Sequence, residues 1–237
     1  MRRIIAYGLL LGVLSPSFIF AEITRKIVNN TEGAKQIVFY SNGKEVAREL
    51  LDGDGNVIKA NGKIPDGIVK EYYESGKLKA EWDYKNGKIE GICKTYYESG
   101  ELMFRYNYKD GERDGITRSY YRNGKLKYEY KYRGGKLEGI VKKYYRNGKL
   151  AFRWSYKDGK KEGITKSYYR SGSLRAEWNY RGDQLDGITR IYYEKGGIKY
   201  IDTYKNGQKI NRKAYDSKGK QEFDQDYPVE VKRIEIE

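Results

Sequence analysis

The chain has 237 residues, of which 48 are Lys or Arg, 33 are Asp or Glu and none is His, and its formal net charge is +15. A single cysteine, Cys93, excludes an internal disulfide, and the lack of histidine removes the commonest general base and metal ligand from any catalytic scheme. Tyr accounts for 26 residues, and its flat ring and polar tip suit half-exposed surfaces and contacts.

The first 21 residues have the plan of a secretory signal peptide. Two arginines precede an apolar run from Ile4 to Leu14, which is followed by a Pro-Ser break and Ala21. The run is too short to span a bilayer comfortably, so we expect cleavage after Ala21 rather than a retained membrane anchor. The exported chain is then periplasmic, cell-surface or secreted. Its basic character favours anionic surfaces as partners, and export makes nucleic acid an unexpected one.

Residues 22–66 are expected to form an N-terminal cap with a degenerate repeat. Residues Phe39–Gly43 echo the first turn of the repeat described below, and Asp52–Asn56 resemble a stretched second turn. The acidic spacing of the second segment also resembles the start of a calcium loop. Val57 and Lys63 stand where such a loop has Gly and Glu, so we predict a hairpin turn there and no metal site.

Residues 67–210 contain six tandem copies of one unit. The unit begins with Gly-Ile, continues with a Tyr-Tyr-x-x-Gly segment and ends with a Tyr and a second glycine turn. Its first glycine recurs every 24 residues, at Gly67, Gly91, Gly115, Gly139, Gly163 and Gly187. A fixed period of this size is typical of a stacked array in which each repeat contacts its neighbours.

The turns indicate strands rather than helices. Ser75-Gly76 and Asn86-Gly87 accept the positive φ of tight hairpins, and the runs between them are short and rich in Tyr, Trp, Ile and Leu. Two-residue turns at both places would pair residue 71 with Ala80 and residue 69 with Trp82. The fold class predicted is all-β: an elongated, twisted, single-layer antiparallel β-meander of tandem 24-residue β-hairpin repeats.

One face of this meander gathers most of the rings, and we call it the aromatic face. We expect Trp82 to lie across Gly91, so that a large ring covers the bare backbone of each repeat-initiating glycine. The rings are either the thin core of the fold or a contact surface, and the sequence leaves both open. The candidate binding residues are Tyr73, Trp82, Tyr84, Tyr97, Tyr106, Tyr121, Tyr130, Tyr145, Trp154, Tyr169 and Trp178.

The opposite, outer face carries an unbroken column of cations, which we call the basic column. It consists of Lys70, Lys94, Arg118, Lys142, Lys166 and Arg190. The residues that pair with it across the sheet include Glu81, Glu129 and Glu177 but also Arg105 and Arg153, so we expect only about half of its charge to be neutralised. The column is either a solvated structural face or an anion-binding strip.

Residues 211–237 are expected to form a C-terminal half-repeat cap, in which Tyr215–Gly219 repeat the first turn, followed by a polar tail. Such caps cover the open edges of a sheet. No nucleophile motif, phosphate loop or zinc spacing occurs, and the acids recur with the repeat, so we predict no catalytic residues, no cofactor and no enzyme activity.

The units Gly67–Glu90 and Gly115–Glu138 resemble the bacterial variant of the MORN repeat, the membrane occupation and recognition nexus. Their Tyr-Tyr-x-x-Gly-x-Leu and Tyr-x-x-Gly segments carry the resemblance, which covers roughly residues 36–219. The last units depart from it, since Asp183 replaces a turn glycine and Asp202 a Trp or Tyr. The resemblance implies a non-catalytic repeat scaffold, in a family that includes YwqK-type antitoxins and exported proteins suspected in adhesion. The tyrosine motif is also similar to choline- and glucan-binding repeats.

The leading hypothesis is therefore an exported scaffold that binds a surface partner, either a host or bacterial protein or an anionic glycan or lipid, in adhesion or host interaction. Six similar weak sites along one rod suit a polymer or a membrane plane, because avidity multiplies modest contacts. Two alternatives stay open: an antitoxin or immunity protein that binds a toxin, and a protein that binds phospholipid at a membrane surface. The oligomeric state stays unknown.

Overall fold

The computed structural model describes residues 22–29 and 33–228 and has an all-β fold, which confirms the predicted class. The predicted signal peptide, residues 1–21, lies outside the described residues. Within the described part of the chain, no helix is long and apolar enough to cross a membrane.

The strands belong to one open, twisted sheet of hairpin repeats. In chain order they are β1 (Ile23–Asn29), β2 (Lys35–Ser41), β3 (Lys44–Leu51), β4 (Val57–Gly62), β5 (Gly67–Tyr72), β6 (Leu78–Lys85), β7 (Lys88–Ile89), β8 (Gly91–Tyr96), β9 (Leu102–Lys109), β10 (Glu112–Arg113), β11 (Gly115–Tyr120), β12 (Leu126–Arg133), β13 (Lys136–Leu137), β14 (Gly139–Tyr144), β15 (Leu150–Lys157), β16 (Lys160–Lys161), β17 (Gly163–Tyr168), β18 (Leu174–Arg181), β19 (Gln184–Leu185), β20 (Gly187–Tyr192), β21 (Ile198–Lys205), β22 (Gln208–Tyr215) and β23 (Gln221–Asp226).

Each repeat is an antiparallel hairpin of a six-residue and an eight-residue strand, as β5 and β6 illustrate. Val69 pairs with Trp82 and Glu71 pairs with Ala80, as the sequence predicts. The same pairs recur in the later repeats, so alternate residues of every strand fall on the same two faces.

The second turn of each repeat is the two-residue hairpin that Asn86-Gly87 predicts. Both residues have positive φ, 51° at Asn86 and 76° at Gly87, and Lys85 pairs with Lys88. This backbone suits the right-handed twist of the flanking strands, and Asn and Gly adopt it at little steric cost.

The first turn is not the predicted two-residue turn. Its loop has three residues, Glu74 to Gly76, and the Tyr73 N–H donates to the Lys77 carbonyl at 2.9 Å. Gly76 has a φ of 79°, which completes a turn that is followed by a left-handed residue. The pairing shifts by one residue between Glu71 and Tyr72, so the pairs deeper in the hairpin are unaffected by the longer loop.

The predicted packing of Trp82 across Gly91 is wrong. Gly91 pairs with Tyr108 of its own hairpin, and a Cβ built on Gly91 would meet only the carboxylate of Asp83, at 3.1 Å. Gly91 has a φ of 69°, and a left-handed residue at this point breaks the strand between β7 and β8. The glycine is required by its backbone conformation and not by a covering ring.

The N-terminal cap differs from the meander in topology. Strand β1 runs parallel to β5 and pairs with it from Ile23 to Arg25, because the chain returns past β1 after β2, β3 and β4. A small core joins the cap to the first repeat, in which Phe39 and Ala47 pack with Val69 and Tyr84. The Phe39 ring meets the Tyr84 ring edge to face at 5.5 Å.

The order of the turns in this cap is the reverse of the predicted order. Asn42-Gly43 form a two-residue turn with positive φ at both residues, which matches the second turn of the repeat. Asp52–Asn56 form a hairpin turn as predicted, but of the first type, with the Asp52 N–H donating to the Asn56 carbonyl at 2.9 Å. At the C-terminal end, Asp216–Lys220 repeat the first turn, as expected.

The turns align along the two long edges of the array. We call the edge with the first turns the tyrosine edge and the edge with the second turns the acid edge. On the acid edge, the acid that ends one repeat accepts a hydrogen bond from a turn N–H of the next. Examples are Asp110 N–H to Glu90 at 2.7 Å and Gly182 N–H to Glu162 at 2.9 Å. These bonds tie each repeat to its successor.

Candidate binding surfaces

The aromatic face consists of half-buried rings that cover small buried residues. Val69 and Cys93 are 0% exposed and Thr117 is 2% exposed, whereas the rings of Tyr106 and Trp154 stay partly accessible. These small residues are buried because rings on neighbouring strands lean over them. Trp82, Tyr130 and Trp178, the other central candidates, are partly accessible as well.

The rings stack along the strands and between repeats. Phe104 and Tyr106 lie 5.3 Å apart and Phe152 and Trp154 lie 5.1 Å apart, in both cases with nearly parallel planes. Trp82 continues the stack to Tyr106 of the next repeat at 6.2 Å. Stacked rings of this kind stabilise the fold beyond their burial, so the face has a structural role whatever it binds.

Tyr84 is the most buried of the predicted binding tyrosines. It is 4% exposed, belongs to the small core and accepts a hydrogen bond from Arg25 at 3.1 Å. Burial raises the pKa of Tyr84 to about 12, and burial also raises the pKa of Tyr130 to about 12. Both phenols therefore stay neutral well above their ordinary range.

The first tyrosine of each turn forms a ladder along the tyrosine edge. Each hydroxyl donates to a backbone carbonyl of the following repeat: Tyr73 to Tyr96, Tyr97 to Tyr120, Tyr121 to Tyr144, Tyr145 to Tyr168 and Tyr169 to Tyr192, at 2.6 to 2.8 Å. These five predicted binding residues are thus half-buried links between repeats. Their rings, not their hydroxyls, remain for a ligand.

Cations lie over the rings of this ladder in the central repeats. The guanidinium of Arg122 is 5.3 Å from the Tyr97 ring centroid, and that of Arg146 is 5.7 Å from the Tyr121 centroid. Lys143 lies further onto the aromatic face, 5.5 Å from Tyr128 and 5.7 Å from Phe152. Such contacts are attractive for a cation, since the ring face is negative.

Two adjoining clefts open between these repeats. The first has a cavity volume of about 540 Å³, and its lining residues are Tyr97, Tyr121, Arg122, Asn123, Lys127 and Arg146. The second has a volume of about 500 Å³, and its lining residues are Tyr121, Lys143, Tyr144, Tyr145, Arg146, Asn147 and Arg170. Both linings contain Tyr121 and Arg146, and neither contains an acid.

Both ends of the aromatic face carry an arginine that is neutralised. At the N-terminal end, Arg25 lies 4.2 Å from the Trp82 ring centroid and donates to Glu71 at 3.0 Å. At the C-terminal end, Arg212 lies 4.5 Å from Tyr200 and makes two bonds to Asp202, at 2.6 and 2.7 Å. Asp202, which replaces a ring in the last repeat, is 2% exposed, as suits a cap.

The outer face places the basic column as predicted. With Arg105 and Arg153 the row holds eight cations for four carboxylates, so about half of its charge is neutralised, as expected. Five of the six cations reach a carboxylate: Lys70 with Glu22, Lys94 with Glu81, Arg118 and Lys142 with Glu129, and Lys166 with Glu177, at 2.6 to 3.4 Å. Arg190 feels the charge of Glu177. Each pair is about one-third exposed on its cationic side, so the pairs add little stability individually.

The glutamates of this face respond to their partners. Burial raises the pKa of Glu129, but the hydrogen bonds from Lys142 and Arg118 outweigh it and hold the pKa below its ordinary value. The hydrogen bond from Lys166 lowers the pKa of Glu177. These carboxylates stay ionised at neutral pH and hold the column in place.

The row that contains the basic column repeats every two units rather than every one. Glu81, Glu129 and Glu177 alternate with Arg105 and Arg153 on the eight-residue strands, between the cations of the column. Each arginine therefore sits between two cations, and each glutamate sits between two cations, of which its single charge balances one. A second column, of exposed isoleucines, runs beside it and includes Ile68, Ile92, Ile116, Ile164 and Ile188.

Several buried hydroxyls on the aromatic face lack partners. Those of Thr117, Ser119, Thr165 and Ser167 find no hydrogen-bond acceptor or donor within the described protein. Buried polar groups are normally satisfied. The hydroxyls of Thr95 and Thr189 are unpaired in the same way, so this feature recurs along the face and does not single out the central repeats.

Sequence reasoning missed the cations of the tyrosine edge. The signal was present: the residue after the tyrosine pair is Glu74 and Glu98 in the first two repeats, then Arg122, Arg146 and Arg170, then Glu194. The alternation of residues along the strands does not reveal this pattern, because these residues lie in the turns. Cys93, by contrast, is a buried filler as expected, and burial raises the pKa of its thiol.

The described residues place no group of three or more His, Cys, Asp or Glu side chains where it could hold a metal ion. Six segments match the family model described as MORN repeat variant: residues 65–86, 89–110, 113–133, 137–158, 161–181 and 185–206. No curated protein matches the chain significantly.

Proposed function

The chain belongs to the MORN repeat variant family, and on that premise we propose that it is an exported, non-catalytic scaffold that binds a surface partner through its aromatic face and tyrosine edge. The partner is a protein or an anionic surface, and the setting is adhesion or host interaction. One observation carries the proposal: in the central repeats, the cations on this side of the sheet lie on rings and not against carboxylates.

The ion pairs of the outer face support the aromatic face as the binding surface. Five of the six cations of the basic column pair with carboxylates, among them Glu81, Glu129 and Glu177. Lys143 on the aromatic face makes no ion pair within the described residues. Rings and arginines dominate the energetics of contact surfaces.

Repetition supports a surface or polymer as the partner. The same edge and face recur in successive repeats, and each offers a modest site. A partner that spans several repeats gains from effective concentration, whereas a small molecule does not.

The test is the binding of the full chain to intact host cells, to vesicles of anionic phospholipid and to bacterial wall polymer over a series of salt concentrations. We expect binding to at least one of them, and loss of that binding in a Trp154→Leu, Trp178→Leu variant. The matched control is Ile116→Ala, Ile164→Ala, which alters the exposed outer column in neighbouring repeats. Unchanged binding by the tryptophan variant would refute the aromatic face as the site.

A second candidate function is binding to a phospholipid surface through the outer face. The exposed isoleucine column beside the basic column favours it, since Ile68 is 45% exposed and Ile164 is 46% exposed. Loss of vesicle binding in the isoleucine variant, with the tryptophan variant unaffected, would favour this function. The antitoxin alternative stays a prediction, and a failure to bind any of the three surfaces would favour it.

A further inference from the structure

The turn after the tyrosine pair breaks the symmetry of the array. Its first residue is acidic in the outer repeats and arginine in three consecutive central repeats. The acids have neighbours to hold: Ser75 donates to Glu98 at 2.7 Å and Ser171 donates to Glu194 at 2.8 Å. Architecture alone therefore does not require arginine at this place, since the hairpin closes equally well with glutamate.

The three arginines concentrate positive charge, and no acid neutralises it. Arg122, Arg146 and Arg170 are exposed, and they lie with Lys127 and Lys143 around the two clefts. Among the described residues, none of these five cations has a carboxylate within ion-pair distance, although Arg122 feels the charge of Glu101.

The cleft at the N-terminal end shows the opposite balance. It has a volume of about 840 Å³ and its lining includes three cations, Arg25, Lys26 and Lys79, and three acids, Glu71, Glu74 and Glu98. The N-terminal cleft and the two central clefts all contain tyrosines of the ladder, but only the N-terminal cleft contains acids. Like charges that cluster without acids repel one another, and an anion that binds between them removes that repulsion.

Cation–π contact explains only part of the arrangement. Each guanidinium covers the ring of the preceding repeat, with Arg170 6.0 Å from the Tyr145 centroid. Exposed contacts of this kind are weak, and they leave the N–H groups of the guanidinium at the solvent side. Those groups match a carboxylate or a sulfate in geometry, which lysine matches less well.

The spacing indicates a chain rather than a single ion. Two strands separate equivalent arginines, which corresponds to about 10 Å along the edge. The clefts share Tyr121 and Arg146, so a ligand in one continues into the other. A row of turns is also narrow, which suits an extended polymer better than a flat membrane.

We propose that the clefts between Tyr97 and Arg170 on the tyrosine edge bind an extended acidic polysaccharide, with its anionic groups at Arg122, Arg146 and Arg170 and its sugar rings beside the tyrosines. This inference rests on the proposed function and names the ligand class and the place. Sulfated and carboxylated chains present the same chemistry to an arginine, so both are probed.

The experiment measures affinity of the full chain for heparin, a sulfated probe, and for polygalacturonate, a carboxylated probe, with neutral dextran as the reference. The test variant is Arg122→Gln, Arg146→Gln, Arg170→Gln. The matched control is Lys109→Gln, Arg133→Gln, Lys157→Gln, which removes three exposed cations from the acid edge of the second, third and fourth repeats. Both variants have the same net charge, and both alter exposed residues, so both are expected to fold.

We expect the test variant to lose at least about tenfold in affinity for one or both acidic polymers, and the control to lose less than about twofold. Arg146→Gln alone should weaken binding more than either neighbouring single substitution, because both clefts contain Arg146. Equal losses in the two triple variants would overturn the proposal, since net charge would then explain them.

The outcomes separate this proposal from the proposed function. A chain that ignores both polymers but binds cells or vesicles through the aromatic face refutes the polysaccharide and leaves the scaffold function standing. A chain that binds nothing refutes both. Binding to anionic vesicles that the triple arginine variant abolishes, without polymer binding, assigns the clefts to lipid and overturns the polysaccharide.

Discussion

The two ends of the sheet and its middle all place cations on aromatic rings, but their electrostatics differ. At the ends, Arg25 and Arg212 lie on rings and are each neutralised by a buried acid, Glu71 or Asp202. In the middle, Lys143 and Arg146 lie on rings in the same way but have no acid beside them in the described chain. At the ends, the buried acids show that the charge belongs to the fold itself.

The largest effect on stability is expected from removal of the acid at one end. Asp202→Ala leaves Arg212 and Lys209 without their carboxylate, and we expect a loss of about 3 kcal/mol in the free energy of unfolding, because breaking a buried pair leaves an uncompensated charge. Urea unfolding measures it. Asp224→Ala, which removes an exposed partner of Lys213, should lose much less. Equal losses would show that the end pair is not special.

Acid should open the N-terminal end before it affects the middle. Burial by itself raises the pKa of Glu71, but the hydrogen bonds and charges of Lys79 and Arg25 outweigh it and hold the pKa below its ordinary 4.5. A lowered pKa in the folded state contributes stability that is present above the unfolded value and is lost as pH falls through the folded value. We therefore expect stability to decline below about pH 4.5.

Amide exchange on acidification locates that decline. Protection in β1 and β5 should fall first, whereas a Glu71→Gln variant should already be less stable at neutral pH and should change less with acid. Uniform loss along the sheet would contradict a local role for Glu71.

The tyrosine ladder runs unchanged through both the ends and the middle of the array. Tyr73 near one end and Tyr145 in the middle each donate to a carbonyl of the next repeat, at 2.6 and 2.7 Å. Each Tyr→Phe substitution should lower the free energy of unfolding by about 1 kcal/mol, the typical net value of a hydrogen bond. Clearly unequal values, measured by urea unfolding, would mean that the backbone of the two regions is not equivalent.

The smallest effect on stability is expected for substitution of Lys143, a cation of the middle that has no acid beside it. Lys143→Met removes a charge that has no acid partner and keeps a flexible apolar stem over Tyr128 and Phe152. The free energy of unfolding should change by no more than about 0.5 kcal/mol, or rise. The thermal midpoint of this variant is measured beside that of Arg212→Met, which removes the equivalent cation at the C-terminal end. A large loss at Lys143 would make it a structural cation like Arg212.

The sequence predicted the parts of the fold that depend on local chemistry. Asn86-Gly87 specify a two-residue turn because both tolerate positive φ, and alternate residues after Leu78 fall on one face because a strand has a period of two. The first turn was mispredicted because a two-residue and a three-residue loop give the same pairs from Glu71 inward.

The parts that were missed depend on distant contacts. The parallel pairing of β1 with β5 joins residues far apart in the chain and has no local signal. Arg25 gives no hint in the sequence that it lies on Trp82. Of the candidate site, the rings and the basic column were predicted on two opposite faces, and Glu81, Glu129 and Glu177 were predicted beside the column. The ion pair of Lys70 with Glu22 became visible only in the structure.

The alternation of glutamate and arginine along the outer row restricts how this protein can change in length. Loss of the unit that contains Glu129 would bring Arg105 and Arg153 together with only one cation between them, and five positive side chains would then follow one another without an acid. Loss or gain of two units keeps the alternation intact. Duplication in this lineage is therefore expected to proceed in steps of 48 residues, and designed shorter or longer versions should be cut at the same interval.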